Sequence, residues 1–105
     1  MSISIGDLII DNYGREGIVL YPNKQPDAEW LSIQEDARMH SITSGKWWLA
    51  MPLQSGGGVN VPESLATVLR RATQEDATAL VARHEFTYVS LVGLFPGLKK
   101  PAALK

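Results

Sequence analysis

The chain has no cysteine among its 105 residues. That absence excludes a disulfide framework, a thiolate nucleophile and any zinc site built on sulfur, and it fits a reducing cytoplasm. Histidine is almost as scarce. His40 and His84 stand far apart, neither with a second ligand at metal-binding spacing, so no metal and no cofactor is expected. Long apolar runs are missing too. The opening "MSISIGDLII" has no basic residue ahead of its apolar stretch and carries Asp7 inside it, so it reads as neither a signal peptide nor a membrane span. Nor does one sign of charge dominate: the formal net charge is −1 at pH 7, with no general pull toward nucleic acid or anionic lipid. The expected setting is cytoplasmic, without a membrane partner, and stability has to come from packing.

Catalytic constellations are also wanting. Glu35-Asp36 and Glu75-Asp76 are adjacent pairs whose side chains point apart, and the second pair suits a helix N-terminus. Ser41, Ser44 and Ser55 lack a nucleophile-elbow context, and "SGGG" lacks the Lys and Ser/Thr of a phosphate loop. Glu35, Asp36, Arg38 and His40 form the one local titratable cluster, which would serve an enzyme only if a second subunit completed the site. No catalytic residue is assigned.

What is present is an ordinary globular composition, 45% apolar and 20% charged, in a length that suits one domain. Short β-branched segments between turn residues point to strands. Asp7 to Asp11 and Gly17 to Tyr21 form a hairpin bracketed by Gly14 and Gly17. "DAEWLSIQE" is expected as a strand with Leu31 and Ile33 inward and Trp30, Ser32 and Gln34 on the other face. In "GKWWLAMPL" the two adjacent tryptophans must face apart if the segment is extended. The odd positions Trp47, Leu49, Met51 and Leu53 are large and apolar, which makes Trp47 the core indole and turns Trp48 outward with Lys46, Ala50 and Pro52. Val59 and Val61 continue the alternation inward.

From Pro62 the apolar period lengthens: Leu65, Val68, Leu69 and Ala72 fit one helical face, so a first helix is expected over Pro62 to Ala72. Thr73 with Asp76 three residues on matches a capping box, starting a second helix with the stripe Ala77, Leu80, Val81 and His84. "EFTYVSLVGLF" returns to β-branched and aromatic residues as a sixth strand, covered on both sides or exchanged with a neighbouring subunit. The fold class is therefore α+β. A barrel of five or six short antiparallel strands carries one or two C-terminal helices and a final strand, over a single domain at 1–95 with a flexible basic tail at 96–105.

Ile5-Gly6-Asp7-Leu8 followed by Gly14-Arg15-Glu16-Gly17-Ile18-Val19 resembles the opening hairpin of SH3-like small barrels of the KOW and Tudor type. "VPESL", Val61 to Leu65, is similar to the place where such barrels pass from a strand into a short helix. The resemblance spans about residues 3–65. It implies binding of RNA, DNA, peptides or methylated lysine, or assembly alone. For a KOW-like nucleic-acid role Gly17 matches the turn glycine, but the hairpin has only Arg15 and Lys24 as bases against Asp7, Asp11 and Glu16. For a Tudor-like cage Tyr13 and Tyr21 stand at plausible positions.

The outward parity groups Trp30 with Trp48 as a cross-strand pair. Leaving two indoles in water forgoes up to roughly 10 kcal/mol, so something covers them: the Leu65/Val68/Leu69 stripe, a second copy of the chain, or a ligand. Arg70, Arg71 and Arg83 offer a basic surface for a phosphate or a solvated helix face. The reading these observations support is a non-catalytic binding or adaptor domain of unknown ligand, partnered by a second copy or by a protein or peptide, with Trp30, Trp48, Tyr13 and Tyr21 as its ligand or interface residues. It would suit an accessory protein of a bacterium, phage or mobile element. A structural homo-oligomer and a nucleic-acid-binding module are the alternatives.

Overall fold

The computed structural model describes residues 2–54 and 56–102. Strands β1 (Asp7–Ile10), β2 (Glu16–Asn23), β3 (Trp47–Pro52), β4 (Val59–Pro62) and β5 (Thr67–Arg71) form one antiparallel sheet in the order β4-β3-β2-β1-β5. Helix α1 (Ala28–Ser32) and a 3-10 turn (Ala37–Ser41) connect β2 to β3, and a second 3-10 turn (Glu63–Leu65) connects β4 to β5. Helices α2 (Gln74–Arg83) and α3 (Thr87–Leu91) follow. None of the helices described is long and apolar enough to cross a membrane.

The order of the strands forces the sheet to curl. β4 and β5 are consecutive in the chain yet lie at opposite edges, which in a flat five-stranded sheet are about 19 Å apart. The link from Pro62 to Thr67 reaches about 17 Å at full extension, and its 3-10 turn shortens it further. The sheet therefore coils until its edges approach. No ladder between β4 and β5 closes it.

Coiling gives the sheet an inside. All five strands contribute to one cluster there: Ile9 from β1, Val19 from β2, Trp48 and Ala50 from β3, Val61 from β4 and the partly buried Val68 from β5. Ile3 joins them from the N-terminal segment. The other face packs Leu8, Ile18, Leu20 and Met51 against Ala77, Leu80 and Val81 of α2, Leu91 of α3, and Phe95 and Leu98 beyond it. A third, smaller cluster sets Trp47 against Leu31 and Met39.

Several sequence expectations hold. The first hairpin pairs Leu8 with Ile18 and Ile9 with Gly17; Trp47 is 1% exposed; and Thr73 and Asp76 form the capping box that opens α2, whose Ala77, Leu80 and Val81 are buried. Of the tail expected from Pro96, Leu98 is buried in the main core, while residues 103–105 lie outside the described residues.

Four expectations are corrected. The strand read in "DAEWLSIQE" is helix α1: the Asp27 carboxylate accepts the Trp30 N–H and caps it, which leaves Leu31 buried and Ile33 73% exposed. Trp30 consequently does not pair with Trp48; its ring stands edge-on to Trp47, with centroids 6.1 Å apart. The helix read over Pro62 to Ala72 is the end of β4, a 3-10 turn and β5. β5 finds a partner in β1, pairing Val68 with Ile9, and tertiary pairing outweighs the helical spacing of four apolar residues. The sixth strand over Glu85 to Phe95 is helix α3, with Thr87 and Leu91 buried four residues apart; an apolar stretch this short carries no decisive period. Last, Trp48, Ala50 and Pro52 are buried rather than outward, because the coiled sheet encloses the face that a flat one would expose.

Candidate functional site

Two loops are joined by side chains at Met39, which packs against Trp47. The first, between β1 and β2, is organised by Asp11, itself buried. Its carboxylate accepts the N–H of Tyr13 (2.9 Å), the N–H of Arg15 (2.8 Å) and the Arg15 Nε (2.7 Å). Gly14 makes the reversal at φ +84°, a conformation that an L side chain resists. Arg15 then lies with its guanidinium 5.2 Å from the centre of the Tyr13 ring.

The second loop is the segment carrying α1 and the first 3-10 turn, and Asp36 does there what Asp11 does in the first. The Asp36 carboxylate accepts the Arg38 N–H (3.0 Å), two guanidinium N–H groups of Arg38 (3.0 and 2.8 Å) and the Asn12 Nδ2 of the other loop (2.8 Å). Its backbone N–H donates to the Tyr13 hydroxyl at 3.1 Å. Met39, fully buried against Leu31 and Trp47, receives the Asn12 amide on its sulfur at 3.2 Å. Behind it the Trp47 indole donates to Gln25 at 2.7 Å, and Gln25 donates in turn to the Ile42 carbonyl.

The Tyr13 N–H and hydroxyl are thus held, while the residue stays 38% exposed. The unit is a fixed aromatic and polar surface backed by an apolar cluster.

The sequence-selected residues separate. Tyr13 and Trp30 belong to this unit through Met39 and Trp47. Tyr21 is exposed on β2, opposite Leu49. Trp48 sits on the other face, enclosed by its own chain, its indole donating at 3.0 Å to a Glu63 carboxylate oxygen that also accepts the Ile3 N–H. Arg70 is ion-paired with Asp76 at 2.7 Å and Arg71 with Asp7 at 3.1 Å, while Arg83 donates to the Leu53 carbonyl. No group of three metal-ligating side chains is found among the described residues.

Sequence reasoning missed Asp11, Asp27 and Met39 as site residues, and it placed Asp36 in a local titratable cluster without its role as a cap. The signal for Asp27 and Asp36 was present, since each precedes a short helical turn and caps it. Asp36 and Arg38 of the expected local cluster do meet, whereas His40 turns to the Gln34 carbonyl at 2.7 Å.

The Arg38 guanidinium, helped by the Asn12 amide, holds the Asp36 carboxyl well below the usual carboxylate range. Arg70, with the Thr73 cap, lowers that of Asp76. A depressed folded-state value adds stability above the unfolded carboxylate range, and that stability is lost as pH falls through the folded value. The melting temperature should therefore hold near neutrality and drop below about pH 4. Asp36→Asn should melt lower at pH 7 and converge with the parent in acid. Parallel curves for the two proteins across the acid range would contradict this.

Comparison with known proteins gives no family model, no curated relative and no solved structure that matches the chain.

Proposed function

We propose that the chain is a partly open SH3-like small barrel that acts as a non-catalytic binding module, taking an extended peptide segment of a protein partner across the Tyr13 face. The barrel reading is supported by the strand order and by the single 3-10 turn joining its two edge strands. The observation that carries the binding reading is the Tyr13 ring, exposed while its hydroxyl is fixed to the Asp36 N–H. A side chain already ordered before the partner arrives loses little entropy on contact, which is why rigid tyrosines recur as anchors of binding surfaces. Nucleic acid fits less well, since Arg70 and Arg71 are each engaged by a carboxylate.

The test is selection from a random peptide display library against the folded domain, with the selected peptides synthesised and titrated. Tyr13→Ala should weaken them about thirtyfold, as expected for an anchor worth about 2 kcal/mol. Tyr21→Ala should leave them nearly unchanged. Peptides indifferent to Tyr13→Ala would remove the reading.

Self-association is a second reading with an observation of its own. Phe86 (54%), Val89 (73%) and Leu94 (41%) are exposed within residues 86–98, which hold no charged side chain. Exposed apolar side chains gathered in a segment without charge suit a contact surface. Light scattering at micromolar concentration separates the two: a monodisperse dimer supports the second, a strict monomer the first.

A further inference from the structure

A cleft of about 560 Å³ opens between one face of α2 and the chain that returns along it after α3. Its apolar surface comes from Val81, Ala82 and Leu98, and Lys99, Lys100 and Glu85 line it as well. The two walls are set by a close approach at one end. A Cβ on Gly97 would lie 3.1 Å from the end of the Gln74 side chain, so the returning chain passes close to α2 here. The volume is that of a site for one small molecule rather than for a folded partner.

Charge gives the ligand its sign. The four ion pairs among the described residues engage Arg15, Arg38, Arg70 and Arg71, and neither Lys99 nor Lys100 takes part in one. Residues 86–102 hold these two lysines and no acid. Glu85 answers only one of the two positive charges. We propose that this cleft binds a small amphipathic organic anion, a free carboxylate with an apolar body, whose body lies on Val81, Ala82 and Leu98 and whose acidic group meets Lys99 and Lys100. The site is built from α2 and the C-terminal chain, with no residue of the Tyr13 face.

The probes are decanoate and 1-decanol, equal in chain length and different in charge, titrated by calorimetry and by amide chemical shifts. Decanoate should bind one to one with a dissociation constant below about 1 mM and shift the amides of Thr78, Ala82 and Leu98. Decanol should bind at least about fivefold more weakly. Ala82 is exposed, so Ala82→Trp should fold normally, fill the cleft and lower decanoate affinity at least about tenfold. Lys99→Gln with Lys100→Gln should bring the two probes to equal affinity. The proposal is overturned by the absence of saturable decanoate binding, by shifts centred elsewhere, by parental affinity in Ala82→Trp, or by decanol binding as well as decanoate.

Discussion

Trp48→Ala should cost about 3–5 kcal/mol, the range for deleting a buried aromatic side chain, and lower the melting temperature by more than about 12 °C in a domain of this size. The indole sits where all five strands converge, so its removal leaves a void that no single element can collapse to fill. A polar loss adds to the apolar one. The Glu63 carboxylate oxygen that accepts the Trp48 indole N–H also accepts the Ile3 N–H at 3.2 Å, fastening the N-terminal segment beside the cluster that Ile3 joins. Glu63→Gln keeps an acceptor oxygen and should be mild. Glu63→Ala strands the indole N–H in a buried place and should cost about 1–3 kcal/mol. Urea denaturation of the three variants checks the ranking. Trp48→Ala melting within a few degrees of the parent would mean that the indole is not enclosed.

Gly17→Ala should cost about 1–3 kcal/mol although it adds only a methyl group. The new Cβ would stand 2.8 Å from the Met51 carbonyl oxygen and 3.0 Å from its carbon, both backbone atoms of the neighbouring strand. β2 is the middle strand of the sheet, and Gly17 pairs with Ile9 on one side and Pro52 on the other, so neither neighbour can give way alone. Gly57→Ala is the control. Its Cβ meets nothing within 4 Å, and the exchange should be neutral or stabilising by up to about 1 kcal/mol through the unfolded chain. Equal melting temperatures for the two alanine variants would contradict the close approach of β2 and β3.

Local chemistry was the legible part of the fold. The capping box at Thr73 and Asp76 needs only a spacing of three residues, and the first hairpin needs only glycines between β-branched runs; both signals lie within a few residues of what they specify. The mixed α/β character and the burial of Trp47 followed from the same kind of pattern. What stayed hidden depends on residues distant in the chain. Leu65, Val68, Leu69 and Ala72 carry a helical period, and only the pairing of Val68 with Ile9 across the sheet makes their segment a strand. Leu69, bulged out of that ladder and 46% exposed, shows that the apparent stripe was never one face. Alternation along β3 correctly set Trp47 and Trp48 on opposite sides. It could not say that a four-residue link between the edge strands would coil the sheet and bury both.

The candidate site was legible in Tyr13 and in little else. Asp11 read as a strand end and Asp36 as one of a local cluster until each is seen accepting several donors, and Asn12, which donates to Asp36 from the first loop, is 24 residues away. Trp30 was selected for the wrong neighbour: a helix capped by Asp27 turns it to Trp47 instead of Trp48.

The enclosure of Trp48 by a coiled sheet is tested most directly by nuclear Overhauser contacts of its indole ring protons in protein with labelled methyl groups. The account predicts contacts to Ile9, Val19, Val61 and Val68, one from each of the other strands. Contacts to Leu8, Leu20 and Leu80 instead would place the ring on the opposite face, the result of a one-residue slip in register, and would contradict it.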